Sequence, residues 1–255
     1  MPSNERAGAP SKAVLLTVDP RFAGTDHGSS VVARVETQMS WLPIPPMRPV
    51  TSDDKKISRP SDEAIAELQK TLAISPREDN ALRRIAEARA YQGRFQDGLK
   101  ILSQVDPDAN PPFWHSQMAL VLLHLGRRDS AFALIRNYLR AHPEDRGGVV
   151  TSARAVWFAL RGDAHRAAQD IQTAVQKGKG YIHFHHAGYH IALAYALLQL
   201  PDSAVRWLRQ VAEDGFPCYP LFEREPFLDN VRTDPGFVAF MREQKVQWEH
   251  FRATL

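Results

Sequence analysis

The sequence predicts an all-α fold, a row of stacked antiparallel helix pairs forming an α-solenoid, and three recurring features predict it. A small residue recurs on the second helix of each pair. Ala64, Gly98, Ala131, Ala167 and Ala204 are 34, 33, 36 and 37 residues apart. A large aliphatic follows each of them four residues on, one helical turn away: Leu68, Leu102, Ile135, Ile171 and Leu208. A turn glycine divides three of the pairs, as Gly93, Gly126 and Gly162, and Gln199 takes that place in the last. Small residues let two helix backbones touch, the large ones fill the space beside them, and glycine supplies the left-handed backbone that ends a helix.

The stretch Pro112 to Pro143 shows the unit most plainly. Ala119 lies within a first apolar helix, Gly126-Arg127-Arg128-Asp129 makes the turn, Ala131 and Ile135 follow, and Pro143 closes the second helix. These offsets resemble the tetratricopeptide (TPR) repeat, whose period is about 34 residues. Pro76 and Pro143 each stand twelve residues past their small landmark, as that motif asks. The chain departs from the motif at Arg89, where an aromatic is usual, and at Lys179, where proline is usual.

In chain order, residues 1–41 form an appendage. Its first twelve residues are small and polar, and Ala13 to Val18 and Val31 to Met39 are short β-prone runs. Five prolines between Leu42 and Pro60 remove backbone donors and disfavour helix, so residues 42–60 are a linker. The repeats occupy residues 61–213. They open with a half repeat around Ala64 and continue as units near 79–107, 112–143, 148–178 and 183–213. Their apolar stripes, with Trp114, Trp157 and Trp207, read as the packed core of the array. Residues 214–255 form an aromatic cap. Phe216 to Phe222 make an irregular segment leading to a short helix near Glu225 to Val231. Asp234 and Pro235 then serve as N-cap and first residue of a last helix bearing Phe237, Phe240, Met241, Trp248 and Phe251.

Composition excludes several classes. A formal charge of +3, with Lys and Arg interspersed among Asp and Glu, argues against a nucleic-acid partner. No run of about 18 apolar residues offers a membrane span, and the N-terminus lacks a secretory pattern, so the expected location is cytoplasmic. The lone Cys218 excludes an internal disulfide and a cysteine-rich zinc module, and it reads as a small buried residue rather than a nucleophile.

The candidate chemistry is a histidine cluster. His183, His186 and His190 share one helical face if the helix starts early enough, which opens a metal-binding alternative. At 1.5 Å per residue His183 and His190 are about 10.5 Å apart along the axis, so only His186 and His190 could share one ion. Ala187 stands where a metalloprotease HExxH motif has glutamate. The sequence holds no GxSxG and no phosphate-binding glycine loop, which argues against an enzyme and names no cofactor. Asp53-Asp54 and Glu78-Asp79 read as solvated or as complements to a helix dipole.

The words GFPCYPLFEREPFLDNVRTDPGF and QWEH, with the repeats before them, resemble the C-terminal TPR arrays of bacterial signalling proteins that carry a Ser/Thr kinase or a winged-helix regulator. This chain shows no signature of either output domain, so it would be at most a detached sensor arm of such a protein. The TPR resemblance implies a non-catalytic scaffold that binds a partner's peptide or helix in a concave groove. The register places Asn80, Arg83, Glu87, Tyr91, Ser116, Leu120, His124, Ser152, Val156, His186, Tyr189 and Leu193 on that groove. Of the TPR carboxylate clamp for chaperone tails, only Arg83 fits one register, so that partner is disfavoured.

Overall fold

The structure, a computed structural model, describes residues 62–216 and 218–253. The whole appendage of residues 1–41 with its β-prone runs, the proline linker and Asp53-Asp54 lie outside the described residues. The described chain is all-helical, and no strand occurs among the described residues. It opens with α1 (Asp62–Ile74), whose Ile65 packs against Ile85 and Ala88 of α2 (Asp79–Tyr91). Four helix pairs then follow: α2 with α3 (Phe95–Leu102), α4 (Pro111–His124) with α5 (Arg128–Ala141), α6 (Val149–Ala159) with α7 (Ala164–Lys177), and α8 (Phe184–Leu197) with α9 (Pro201–Glu213). The first helices also touch in order, α2 on α4, α4 on α6 and α6 on α8.

Local chemistry accounts for the pair geometry. Gly98 is small because a Cβ there would sit 3.1 Å from the Ala86 carbonyl oxygen on the partner helix. Ala131, Ala167 and Ala204 are likewise fully buried at their helix contacts. Gln199 adopts the left-handed backbone of the turn glycines, with φ 60° against 71° at Gly126 and Gly162, so the last pair turns as the others do at the cost of a strained side-chain-bearing residue. The Trp114 and Trp157 indole N–H groups donate to the carbonyls of Leu102 and Arg128 at 3.0 Å, while Trp207 is buried in the core. Fully burying a large apolar side chain such as that of Trp207 is worth roughly 1.5–3 kcal/mol.

Two polar joints lie between elements. Arg154 on α6 grips Asp170 on α7 through two bonds of 2.7 and 2.8 Å. Buried Asp145, in the turn before α6, accepts from the backbone N–H of Thr151 at 2.8 Å and from its hydroxyl at 2.6 Å. It thereby caps orphan donors at the helix start.

The C-terminal part departs from the sequence expectation in one respect. The stretch expected to be irregular contains a further helix, α10 (Tyr219–Arg224), and the short helix expected near Glu225 to Val231 is present as a 3-10 turn at Pro226–Val231. Pro226 divides the two, because the residue before a proline is pushed to extended backbone, and Glu225 has ψ 111°. Asp234 caps α11 (Pro235–Ala253) as expected, accepting from Gly236 N at 2.8 Å and Phe237 N at 3.1 Å. Helix α11 packs on α9 and α10, and the 3-10 turn lies against α8. Phe237 and Phe240 are buried there, Met241 and Trp248 are half-buried, and Phe251 is exposed.

Candidate functional site

Helices α2, α4 and α8 bring their polar side chains to one inner face, and Phe216 together with the segment from Cys218 to Val231 closes over it. Between them lies a cavity of about 50 Å³, room for a few waters, bordered by Glu87, Tyr91, Gln117, His186, Tyr189 and Glu225 among others. Phe216 from the covering segment packs edge-on to Tyr91, with ring centroids 5.7 Å apart, and reaches Tyr189 at 5.6 Å.

At one end of the cavity Glu225 is fully engaged. Its Oε1 accepts from the Phe227 backbone N–H at 3.0 Å and lies 2.7 Å from His124 Nε2, while its Oε2 accepts the Tyr189 hydroxyl proton at 2.7 Å. His124 Nδ1–H donates to the Leu120 carbonyl at 2.8 Å, so the second contact requires a proton between Nε2 and Glu225. The imidazole is sandwiched between Phe95 at 4.1 Å and Phe227 at 4.0 Å, both nearly parallel to it. Burial opposes a charged Glu225, but His124 beside it and these hydrogen bonds outweigh burial and hold the carboxyl below its usual range. Tyr189 is driven well above the ordinary phenol value by burial and by the Glu225 charge.

At the other end the bonding is incomplete. Glu87 Oε1 accepts from Tyr91 at 3.0 Å and from Gln117 Nε2 at 2.7 Å, and Oε2 accepts from Arg84 at 3.2 Å. Burial would raise this carboxyl, yet Arg84 and Arg83 bring it below its usual range. A carboxylate only accepts, so the amide of Gln117 must turn its nitrogen to Glu87. Its Oε1 is then buried without a hydrogen-bond partner. Arg83, stacked over Phe113 at 5.5 Å, donates to Asn80 at 3.0 Å through Nη2 but leaves Nη1 buried and unpartnered.

The histidines sit deeper than the sequence implies. Helix α8 begins at Phe184, so His183 is its non-helical N-cap and not part of the expected helical face. Its ring lies 6.4 Å from that of His186. Burial, with His185 and Arg84 nearby, keeps His186 well below the normal imidazole value, and its Nδ1 is 3.9 Å from Glu87. His190 bonds Ser152 Oγ at 3.0 Å and is pushed by burial to about 4. Among the described residues no group of three His, Cys, Asp or Glu is placed to hold a metal ion. Cys218 is buried, and burial pushes its thiol up to about 12.

Of the residues the repeat register assigns to a groove, Glu87, Tyr91, Ser116, Leu120, His124, His186 and Tyr189 do border one cavity. Asn80 is exposed and does not border the cavity, and Arg83 is buried beside Phe113. Ser152, Val156 and Leu193 lie wholly inside the packing between helices. Sequence reasoning missed Gln117, Glu225 and Phe227. Gln117 could have been found one residue from Ser116, but nothing local in Glu225-Pro226-Phe227 announces a contact with a histidine 101 residues earlier.

No protein-family model and no curated protein sequence matches the chain. Among the described residues no helix is long and apolar enough to cross a membrane.

Proposed function

We propose that the chain is a non-catalytic protein-interaction scaffold, a TPR-like solenoid whose first-helix face receives a segment of a partner protein. The side-by-side order of α2, α4, α6 and α8 supports the repeat reading, since successive first helices line the concave side of such arrays. One observation carries the binding reading: a short stretch of the chain, α10 and the 3-10 turn after it, is already seated on this face, anchored by aromatic rings and a buried carboxylate. That is the manner in which a groove holds a peptide or short helix, with a few desolvated anchors.

The test is recovery of a partner from cells that make the protein, comparing wild type with two variants. Asn80→Ala with Gln117→Ala alters two positions of the expected groove helices α2 and α4, while Arg136→Ala with Arg140→Ala alters exposed positions on α5. A partner lost with the first variant and kept with the second supports the reading. Equal recovery with all three proteins overturns it.

A further inference from the structure

We infer that His124, Tyr189 and Phe95 form a binding site for a carboxylate side chain followed two residues later by an aromatic ring, and that Glu225 and Phe227 fill it as an intramolecular ligand. The inference rests on the reading of this face as a partner-binding surface and names the chemistry it selects.

The division of parts is what points to a site. The receiving groups come from three separate helices: Phe95 from α3, His124 from α4 and Tyr189 from α8. The entering groups come from three consecutive residues. His124 is held independently of its guest by the Leu120 carbonyl on its own helix, and one side of its ring rests on Phe95. The guest then supplies the two missing pieces, a carboxylate for Nε2 and the Tyr189 hydroxyl, and Phe227 as the second slice of the ring sandwich. Pro226 between them fixes the turn that presents both, with the Phe227 N–H folded back onto the same carboxylate at 3.0 Å. A charge-assisted hydrogen bond combined with aromatic stacking gives a site both energy and selectivity.

The chain's own segment is also an imperfect ligand. It leaves the 50 Å³ cavity beside Leu221 unfilled and Gln117 Oε1 without a donor. A partner segment of the form Glu-Pro-Phe, with a bulkier, donor-bearing side chain in place of Leu221, satisfies the same anchors and more of the face. To bind, it must outcompete a tethered ligand whose effective concentration is about millimolar or higher.

The experiment uses the full chain. Glu225→Ala deletes the atoms of one acetate ion, so acetate is the first probe, followed through the thermal midpoint against chloride at equal ionic strength. The expected result is a saturable acetate-specific rise for Glu225→Ala, absent in wild type and weakened at least tenfold in affinity by adding Tyr189→Phe. No acetate-specific rise overturns the carboxylate site. The second probe is a labelled peptide, LFEREPFLDNV, titrated by fluorescence anisotropy against wild type, which needs no variant to fold. Weak saturable binding, lost when the glutamate before proline becomes glutamine or the following phenylalanine becomes alanine, supports the site. Equal binding of the three peptides, or none, overturns it. If both probes succeed while partner recovery ignores the face substitutions, the interaction scaffold fails and the carboxylate site stands. If both fail while partner recovery depends on the face, only the site is lost.

Discussion

The two ends of the cavity between α2, α4 and α8 carry the same kinds of groups and are finished differently. At the His124 end a carboxylate, an imidazole and a phenol exchange hydrogen bonds until both Glu225 oxygens are used. At the Glu87 end a carboxylate, a phenol, an amide and two guanidinium groups meet, and atoms of Gln117 and Arg83 remain unpartnered. The difference lies in what covers them. Glu225 and Phe227 descend onto the first end, while Leu221 and Phe216 bring only apolar surface to the second. Burial of a polar atom is costly only when its partners are missing, so the covering segment stabilises one end and leaves the other under tension.

The largest expected effect comes from breaking the finished end. Glu225→Ala leaves the buried Tyr189 hydroxyl and His124 Nε2 without their acceptor, and each such unpartnered group costs about 1–3 kcal/mol. Urea unfolding of the variant at neutral pH measures this. A loss under about 1 kcal/mol would mean that the Glu225 contacts contribute no more than a surface pair, and the contrast between the two ends would disappear.

Acid should act first through the buried histidines of α8. His190 faces Ser152 and the Val149 carbonyl, with the charges of Glu225 and Glu87 favouring its protonated form, yet burial prevails and holds it near 4 against 6.5 in an unfolded chain. A group whose folded value is depressed gives stability that is full above 6.5 and drains away as pH falls toward about 4. That gap corresponds to about 3 kcal/mol. His186, lowered in the same direction, adds to the loss. Glu225 adds its own only as pH falls below 4.5, because its folded value is lowered from there. Thermal midpoints measured from pH 7 to pH 4.5 should drop steadily in wild type and less in His190→Asn. Equal slopes for the two proteins would show that His190 does not drive the acid loss.

Much of this arrangement was legible in the residue pattern, and the reason is local. Ala131, Ala167 and Ala204 fall at helix contacts because only small side chains fit there, and Gly126 and Gly162 end helices because their backbone is left-handed, so both leave a mark in the sequence at fixed offsets. Asp234-Pro235 announced α11 for the same reason. The 3-10 helix after Glu225 fell where a short helix was expected, whereas α10 was missed because Pro217, Pro220 and the aromatics around them read as irregular chain. The closure of the face was not legible at all. Helices α4 and α8 are buried on nearly every side, which erases the polar stripe that would mark an open groove, and the pairing of Glu225 with His124 depends on a chain reversal no short window contains.

The smallest effect is also the most discriminating, because it asks whether the unfinished end has anything to lose. Gln117→Leu removes one charge-assisted bond to Glu87, which keeps Tyr91 and Arg84 as donors. The same change removes a buried acceptor that has no partner and adds an apolar group to a wall already lined by Phe113, Leu120 and Val121. Losing the bond costs about 1.5–3 kcal/mol, and relieving an unpartnered buried acceptor returns about 1–3 kcal/mol, so the net change in urea unfolding should stay within about 1 kcal/mol of zero. A cost above about 2 kcal/mol would mean that Gln117 Oε1 is satisfied after all and that both ends are equally complete. A near-zero result, beside a large loss for Glu225→Ala, would place the stabilising contacts of the covering segment at the His124 end alone.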